Sequence, residues 1–279
     1  MDTEYGPISI TLLGPLSARL NRTRIEPSAA KQRQILALLA LNAGRVVTVS
    51  ALVEELWGDY PPRSCATTLQ TYILQLRNRL ATALPSSEDA RQVLSTRHSG
   101  YMLEDGTCET DVDTFGRLAR EGRAAAERGD PRGAAQALGQ ALALWRGPAL
   151  ADVPMGRVLE LEATALEQTR LGVLERRIEA DLALHRHTDL LGELTMLTAK
   201  NPMNENFYAL MMIVLYRCGH VGRALETYQG LRTMLINELG VEPCPRLRRL
   251  QQAILTGDSS LDVAPAWTLA DSDSGPLLS

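Results

Sequence analysis

The two halves of the chain carry different patterns of apolar and polar positions. Residues 1–105 mix strand and helix signals: residues 8–13 predict a strand that ends at Gly14, and Arg24-Ile25 predicts a weaker one. From about residue 111 to residue 255, Leu, Ala and charged residues recur only at helical spacing. The pattern therefore predicts a mixed α+β region followed by an all-α region.

Three helices are predicted in the first region, with Ser28 and Thr48 as N-caps of the first two and Ser64 at the start of the third. One face of the third helix is apolar: Leu69, Ile73, Leu76 and Leu80. The opposite face is polar: Thr67, Thr68, Thr71, Gln75, Asn78 and Arg79, with Arg77 at its margin. Solvation is the ordinary explanation of such a face, so the pattern alone leaves its function open.

A β-hairpin is predicted at the end of the first region, after a polar loop over residues 85–90. Residues 92–97 and 101–103 are the expected strands, and His98-Ser99-Gly100 is the expected turn. This places Arg97 at the tip of the hairpin.

The all-α region contains three predicted turns between helices, at residues 128–131, 186–189 and 218–220. A small residue follows each turn, where we expect two helices to cross: Ala134, Gly192 and Ala224. Gly192 and Ala224 are 32 residues apart, close to a tetratricopeptide period of about 34 residues. We expect antiparallel helix pairs interrupted by a loop over residues 145–156, and a disordered tail over residues 258–279.

The motifs of common catalytic sites do not occur in the sequence. Both lysines, Lys31 and Lys200, follow alanine, so the Gly-Lys-Ser/Thr triplet of a phosphate-binding loop is missing. No His-Glu-x-x-His or Gly-x-Ser-x-Gly motif occurs either. We therefore predict no catalytic residue, no cofactor and no enzyme activity.

The cysteines and histidines are interpreted as structural residues. The four cysteines lie far apart with no Cys-x-x-Cys motif, which favours reduced thiols in a cytoplasmic protein. His185, His187, Cys218 and His220 fall in two successive turns, but their spacing matches no ligand motif, so no metal is predicted. The longest apolar stretches are too short to cross a bilayer, and no membrane association is expected.

Short motifs follow one another along the chain: Leu13-Gly14-Pro15-Leu16, Leu56-Trp57-Gly58, Gly100-Tyr101, Gly147-Pro148-Ala149-Leu150 and Leu239-Gly240-Val241-Glu242-Pro243. With the order strand, three helices, hairpin, they resemble the Streptomyces antibiotic regulatory protein family, whose DNA-binding domain is a winged helix of the OmpR type. The resemblance implies a mainly α protein. It implies a winged-helix domain over residues 1–108 and a tetratricopeptide-like bacterial transcriptional activation domain over residues 109–257.

The resemblance also implies a function. It predicts a transcriptional activator of an antibiotic or secondary-metabolite gene cluster that binds direct repeats in double-stranded promoter DNA as a tandem dimer. It further implies recruitment of RNA polymerase holoenzyme, including its sigma factor, and association with the nucleoid in the cytoplasm. Two other functions stay open: a protein-interaction adaptor and a ligand-sensing regulator, both acting through the helical array.

The resemblance assigns roles to individual residues. With the third helix in the major groove, the candidates for contact with bases or phosphates are Arg63, Thr67, Thr68, Thr71, Gln75, Arg77 and Arg79. At the hairpin tip, Arg97 would reach the minor groove and His98 a phosphate. The loop over residues 58–63 would face polymerase through Asp59, Tyr60 and Arg63. Each residue also has a plain interpretation as part of a solvated helix face, a surface arginine or a simple turn.

The net charge of −4 argues at first against a nucleic-acid partner. Four aspartates of the predicted tail account for all of it, because the remaining acidic and basic residues balance. Residues 60–101 hold five arginines against two acidic residues, a local charge of +3. This charge is modest, so we expect one copy to bind DNA weakly and to need a tandem partner or polymerase.

Overall fold

The structure, a computed structural model, describes residues 6–20, 22–259 and 261. Its contacts group the chain into two compact units, Met1–Arg120 with Gln140–Leu171 and Glu121–Gly139 with Gly172–Ser279. The units do not follow a single cut in the sequence, and the predicted domain boundary after residue 108 stays a prediction. The tail predicted over residues 258–279 lies almost wholly outside the described residues.

The first unit contains two small sheets. Their strands are β1 (Ile8–Thr11), β2 (Ser17–Leu20), β3 (Thr23–Arg24), β4 (Val47–Thr48), β5 (Leu94–Arg97), β6 (Gly100–Leu103) and β7 (Cys108–Thr110). One sheet has the order β3-β2-β1-β7, with β7 parallel to β1, and the other has the order β4-β6-β5. The predicted strand at residue 8, the weak strand near Arg24 and the hairpin are therefore confirmed, although the first strand of the hairpin begins at Leu94 and not at residue 92.

Helices make up most of the described chain. They are α1 (Ala30–Leu41), α2 (Val49–Trp57), α3 (Cys65–Ala81), α4 (Ser87–Val93), α5 (Asp111–Glu127), α6 (Pro131–Ala143), α7 (Arg157–Ala183), α8 (His187–Lys200), α9 (Glu205–Arg217), α10 (Val221–Leu239) and α11 (Pro245–Thr256). The predicted fold class, a winged helix followed by an all-α array, is confirmed by this order.

The helix boundaries follow some of the predicted caps and not others. The Thr48 hydroxyl accepts the Ala51 N–H at 3.2 Å and caps α2, as predicted. The prediction for Ser28 is wrong, because α1 begins after Ala29 and has no side-chain cap. The predicted loop at residues 85–90 is also wrong, since it contains the start of α4. The Ser86 hydroxyl accepts the Asp89 N–H there and caps α4.

A single apolar core joins the helices and sheets of the first unit. The predicted face of α3 is confirmed as part of it, because Leu69, Ile73, Leu76 and Leu80 are all buried. The core also contains Leu150 and Leu159, from the segment that precedes α7 and from α7 itself. This packing holds α3 by one side and leaves its other side outward.

The second unit is an array of helices in which α9 packs against both α8 and α10. The predicted turns separate α5 from α6, α7 from α8 and α9 from α10. Ala224 is fully buried, as a residue at a close crossing should be. The close crossing predicted at Gly192 is wrong, because a Cβ atom there would meet nothing within 4 Å.

Candidate DNA-binding surface

The outward side of α3 is the first part of the candidate surface. Four buried apolar residues fix the rotation of the helix, so the residues on its opposite side point to solvent. The exposed row of the helix consists of Thr67, Gln70, Thr71, Leu74 and Asn78. Thr67, Thr71 and Asn78 were on the predicted polar face, whereas Gln70 and Leu74 were not among the predicted residues. Helical spacing relative to the buried face places both residues on the outward row. A selection of polar residues leaves out Leu74 because leucine is apolar.

Thr68 and Gln75 lie at the edge of this row. Thr68 is half-buried. Gln75 is exposed, but its side-chain oxygen accepts a hydrogen bond from the buried amide of Gln32 on α1. This contact turns the Gln75 amide toward α1, so its acceptor has a protein partner in the described structure.

Arg77 ties α3 to the hairpin. Its guanidinium donates to the carbonyl oxygen of Leu94 from Nε at 2.9 Å and from Nη2 at 2.8 Å, and Nη2 also donates to the Thr96 hydroxyl at 2.8 Å. Burial lowers the pKa of Arg77 below its ordinary value, with a smaller contribution from nearby Arg91. Arg79 likewise donates to the Glu26 carbonyl oxygen at 3.3 Å. Both guanidinium groups therefore have partners inside the first unit.

The hairpin of β5 and β6 forms the wing. Arg97 pairs with Gly100 across a two-residue turn of His98 and Ser99, and His98 is exposed. A Cβ atom on Gly100 would lie 1.9 Å from the Val47 carbonyl oxygen, so only glycine lets β6 approach β4 at this point. The Arg97 side chain is 47% exposed and forms an ion pair with Glu104.

The loop between α2 and α3 projects from the same unit. It begins at Gly58, which has a positive φ of 57° and ends α2. Tyr60 is 90% exposed, and Asp59 and Arg63 are also exposed. The three residues predicted to face polymerase therefore share one exposed loop.

Three carboxylates of the first unit accept backbone N–H groups that lie far from them in the sequence. Asp111 accepts the N–H groups of Leu12 and Leu13 at 2.7 and 3.1 Å, and Asp152 accepts that of Leu16 at 2.7 Å. The third is Glu55 on α2, which is 2% exposed and accepts N–H groups at the start of α7. Because a helix start leaves N–H groups without intrahelical partners, the Glu55 carboxylate satisfies donors that α7 alone leaves unpaired.

Two family models match the chain. "Transcriptional regulatory protein, C terminal" matches residues 26–103, and "Bacterial transcriptional activator domain" matches residues 110–255. Regulatory protein DnrI from Streptomyces peucetius is 51% identical over 257 residues, which cover 91% of this chain and 94% of that protein. The chain belongs to the Streptomyces antibiotic regulatory protein family. It is therefore a transcriptional regulator of this type, and the resemblance read from its motifs is confirmed.

Two further proteins, RedD and EmbR, are similar to the chain and support the family assignment. Transcriptional regulator RedD from Streptomyces coelicolor is 39% identical over 263 residues, which cover 94% of this chain and 74% of that protein. A solved structure of Mycobacterium tuberculosis EmbR in complex with a low affinity phosphopeptide superposes with a TM-score of 0.86 at 32% identity. The match covers 94% of this chain and 69% of the EmbR chain. The fold of this family member is thus shared with an experimentally solved regulator.

The histidines and cysteines of the helical array do not form a ligand cluster in this family member. The rings of His185 and His187 meet edge to face with centroids 5.6 Å apart. Burial lowers the pKa of His187, and the charge of Arg217 and neighbouring His185 lower it further. Among the described residues, no three His, Cys, Asp or Glu side chains are placed to hold one metal ion. No helix within that same part of the chain is long and apolar enough to cross a membrane.

Proposed function

We propose that the protein activates transcription of an antibiotic or secondary-metabolite gene cluster by binding direct repeats in promoter DNA and recruiting RNA polymerase holoenzyme. The outward row of α3 beside the wing is the observation that carries this proposal. A helix held by one apolar face presents its other face to the major groove, and a hairpin beside it reaches the adjacent backbone or minor groove.

The contacts divide between α3 and the wing. Thr67 and Thr71 are exposed along α3, where a hydroxyl group can bond a phosphate or a base edge. Thr68 and Gln75 lie at the edge of the row, and Arg63 precedes the helix. On the wing, Arg97 is exposed at the end of β5 and is assigned to the minor groove, and His98 is exposed in the turn and is assigned to the DNA backbone.

Arg77 and Arg79 are bound to other parts of the first unit. Both donate to backbone carbonyl oxygens of their own unit, so we assign them first to holding α3 against its neighbours. Their predicted phosphate contacts stay predictions. Residues 60–101 carry a local charge of only +3, and Arg97 is paired to Glu104, so the positive field of one copy is weak. This supports binding as a tandem dimer on repeated sites.

Recruitment of polymerase is assigned to the loop of Asp59, Tyr60 and Arg63. The ring of Tyr60 is almost fully exposed, so its apolar surface is not buried within its own unit. Aromatic and arginine side chains are the residues that most often dominate protein interfaces. The loop therefore offers sigma factor an anchor without disturbing the DNA-facing side of α3.

The weak positive charge also favours a second candidate, an adaptor that acts through protein contacts of the helical array. DNA footprinting on promoters of the neighbouring genes tests the first proposal against it. Protection of two repeats, lost in the Thr67→Ala/Thr71→Ala variant, is expected for an activator that binds DNA through α3. Promoter activation that persists in this variant would favour the adaptor. Absence of specific protection on every neighbouring promoter would refute the activator proposal.

A further inference from the structure

Leu74 is the large apolar residue on the outward row of α3. Its side chain is 53% exposed, although Ile73 immediately before it and Leu76 two positions after it point inward. The buried face does not need Leu74, since four other apolar residues already fill it. Gln70 and Thr71 precede Leu74 by one turn and Asn78 follows it by one turn, so Leu74 lies in the middle of the polar row.

An isolated exposed leucine is common on protein surfaces and needs no function by itself. Leu161 on α7, for example, is 65% exposed. What distinguishes Leu74 is its position: hydroxyl and amide groups flank it along the helix, and the unit offers this row beside the wing. A side chain at the centre of that row points at whatever the helix binds.

We propose that Leu74 reads a thymine in the operator by packing against its C5-methyl group. This inference rests on the proposed function of α3 as a major-groove helix. Among the groups that base pairs present in the major groove, the thymine methyl is the apolar one, and apolar side chains recognise it by contact. The flanking Gln70 and Thr71 supply polar groups for neighbouring base edges, while Leu74 selects for the methyl group.

Replacing thymine by uracil removes that methyl group and leaves base pairing unchanged. The experiment measures the Kd of the full chain for a direct-repeat fragment in which each thymine of one repeat is replaced in turn by uracil. For the wild-type protein, one position is expected to lose about fourfold in affinity, the effect of one buried methyl group. For Leu74→Ala, binding to the unmodified fragment falls by a similar factor, and the uracil at that position has no further effect.

Two variants control the comparison. Leu161→Ala removes an exposed leucine of α7 and is expected to keep both the affinity and the sensitivity to uracil. Leu74→Met keeps an apolar side chain and is expected to retain most of the sensitivity. Leu74→Ala replaces an exposed residue by the best helix former, so its thermal unfolding should match that of the wild type.

The outcomes separate the two proposals. If the wild type forms a specific complex but responds to no uracil, or if Leu74→Ala keeps the same response, the role of Leu74 is overturned while DNA binding stands. If the wild type binds no unmodified fragment specifically, the proposed function itself fails.

Discussion

A hydrogen bond of 2.6 Å joins the carboxylate of Glu55 to the backbone N–H of Gly156, 101 positions further along the chain. The second oxygen of the same carboxylate accepts the Leu159 N–H at 2.9 Å. Glu55 lies on α2, just before the exposed loop, whereas Gly156 immediately precedes α7. One buried side chain of the winged helix thus caps a helix of the family's second domain, within the first compact unit.

Replacing Gly156 by alanine should destabilise the protein. A Cβ atom on this residue would lie 2.1 Å from the Glu55 carbonyl oxygen, so the start of α7 must shift. We expect a loss of about 1–3 kcal/mol, the usual cost of overpacking. Urea unfolding measures it. Gly172→Ala in the open interior of α7 is the matched control, and it should stabilise the protein by about 0.5–1 kcal/mol. Equal stability of the two variants would show that the approach of Gly156 to Glu55 is not tight.

Replacing Arg77 by alanine should loosen the wing. The variant loses three hydrogen bonds to Leu94 and Thr96 and leaves the Leu94 carbonyl oxygen without this donor. Its free energy of unfolding should fall by about 1–3 kcal/mol. Arg77→Lys should restore only part of this loss, because an ammonium group lacks the planar arrangement of donors of a guanidinium.

The salt dependence of DNA binding decides between the two roles of Arg77. A residue that only anchors the wing leaves the slope of log K against log salt unchanged in Arg77→Ala, and this is the expected result. A slope that becomes shallower by about 0.9 would instead show that Arg77 neutralises one phosphate.

Thr71→Ala should weaken DNA binding without affecting stability. The Thr71 hydroxyl is exposed and donates to the Thr67 carbonyl oxygen one turn earlier, so its oxygen remains available to accept from a base amino group. Thr164 on α7 makes the same bond to Glu160 and is also exposed. Thr164→Ala is therefore a matched control. A mobility-shift titration should show a loss of about two- to twelvefold for Thr71→Ala, which corresponds to a net hydrogen bond of about 0.5–1.5 kcal/mol. If both variants lose affinity equally, the effect does not come from the α3 surface.

The sequence predicts the architecture of this protein better than its contact residues. Apolar spacing is enough to identify the buried face of α3, because burial follows helical periodicity directly. Polarity alone does not identify the outward row, because Gln75 and Arg77 are polar yet bond within the unit, whereas Leu74 is apolar and exposed. The hydrogen-bond partners of Gln75 and Arg77 lie far from them in the sequence, so the local pattern does not show these bonds. The short strand β7 is a further case, since three residues have too little pattern and depend on pairing with β1.

The Cys108 thiol should react slowly with alkylating reagents near neutral pH. Burial, together with the nearby carboxylates of Asp113 and Asp105, raises its pKa to about 11. Only the thiolate reacts, so the labelling rate should rise about tenfold per pH unit until the pH reaches that pKa. Mass spectrometry of the peptide that contains Cys108 measures the rate.

The same shift makes stability depend on pH. The folded state keeps the Cys108 proton at pH values where the unfolded chain has lost it. The contribution is therefore fully present below the unfolded pKa near 9 and is lost as the pH rises toward 11. Cys108→Ala should lose less stability than the wild type over this interval. Labelling of the folded protein as fast as that of the urea-unfolded chain would contradict the shift.

Tyr60→Ala should separate DNA binding from activation. Tyr60 lies on the loop after α2, away from the outward row of α3, so the variant should protect the same repeats with unchanged affinity. If sigma factor uses this aromatic side chain, transcription from the target promoter by purified holoenzyme should fall by about tenfold or more, as for an interface residue that contributes at least 1.4 kcal/mol. Tyr60→Phe keeps the ring and should retain most of the activation. Because the side chain is almost fully exposed, neither variant should change thermal unfolding. Full activation by Tyr60→Ala would remove this residue from the polymerase contact and leave Asp59 and Arg63 as the remaining candidates in the loop.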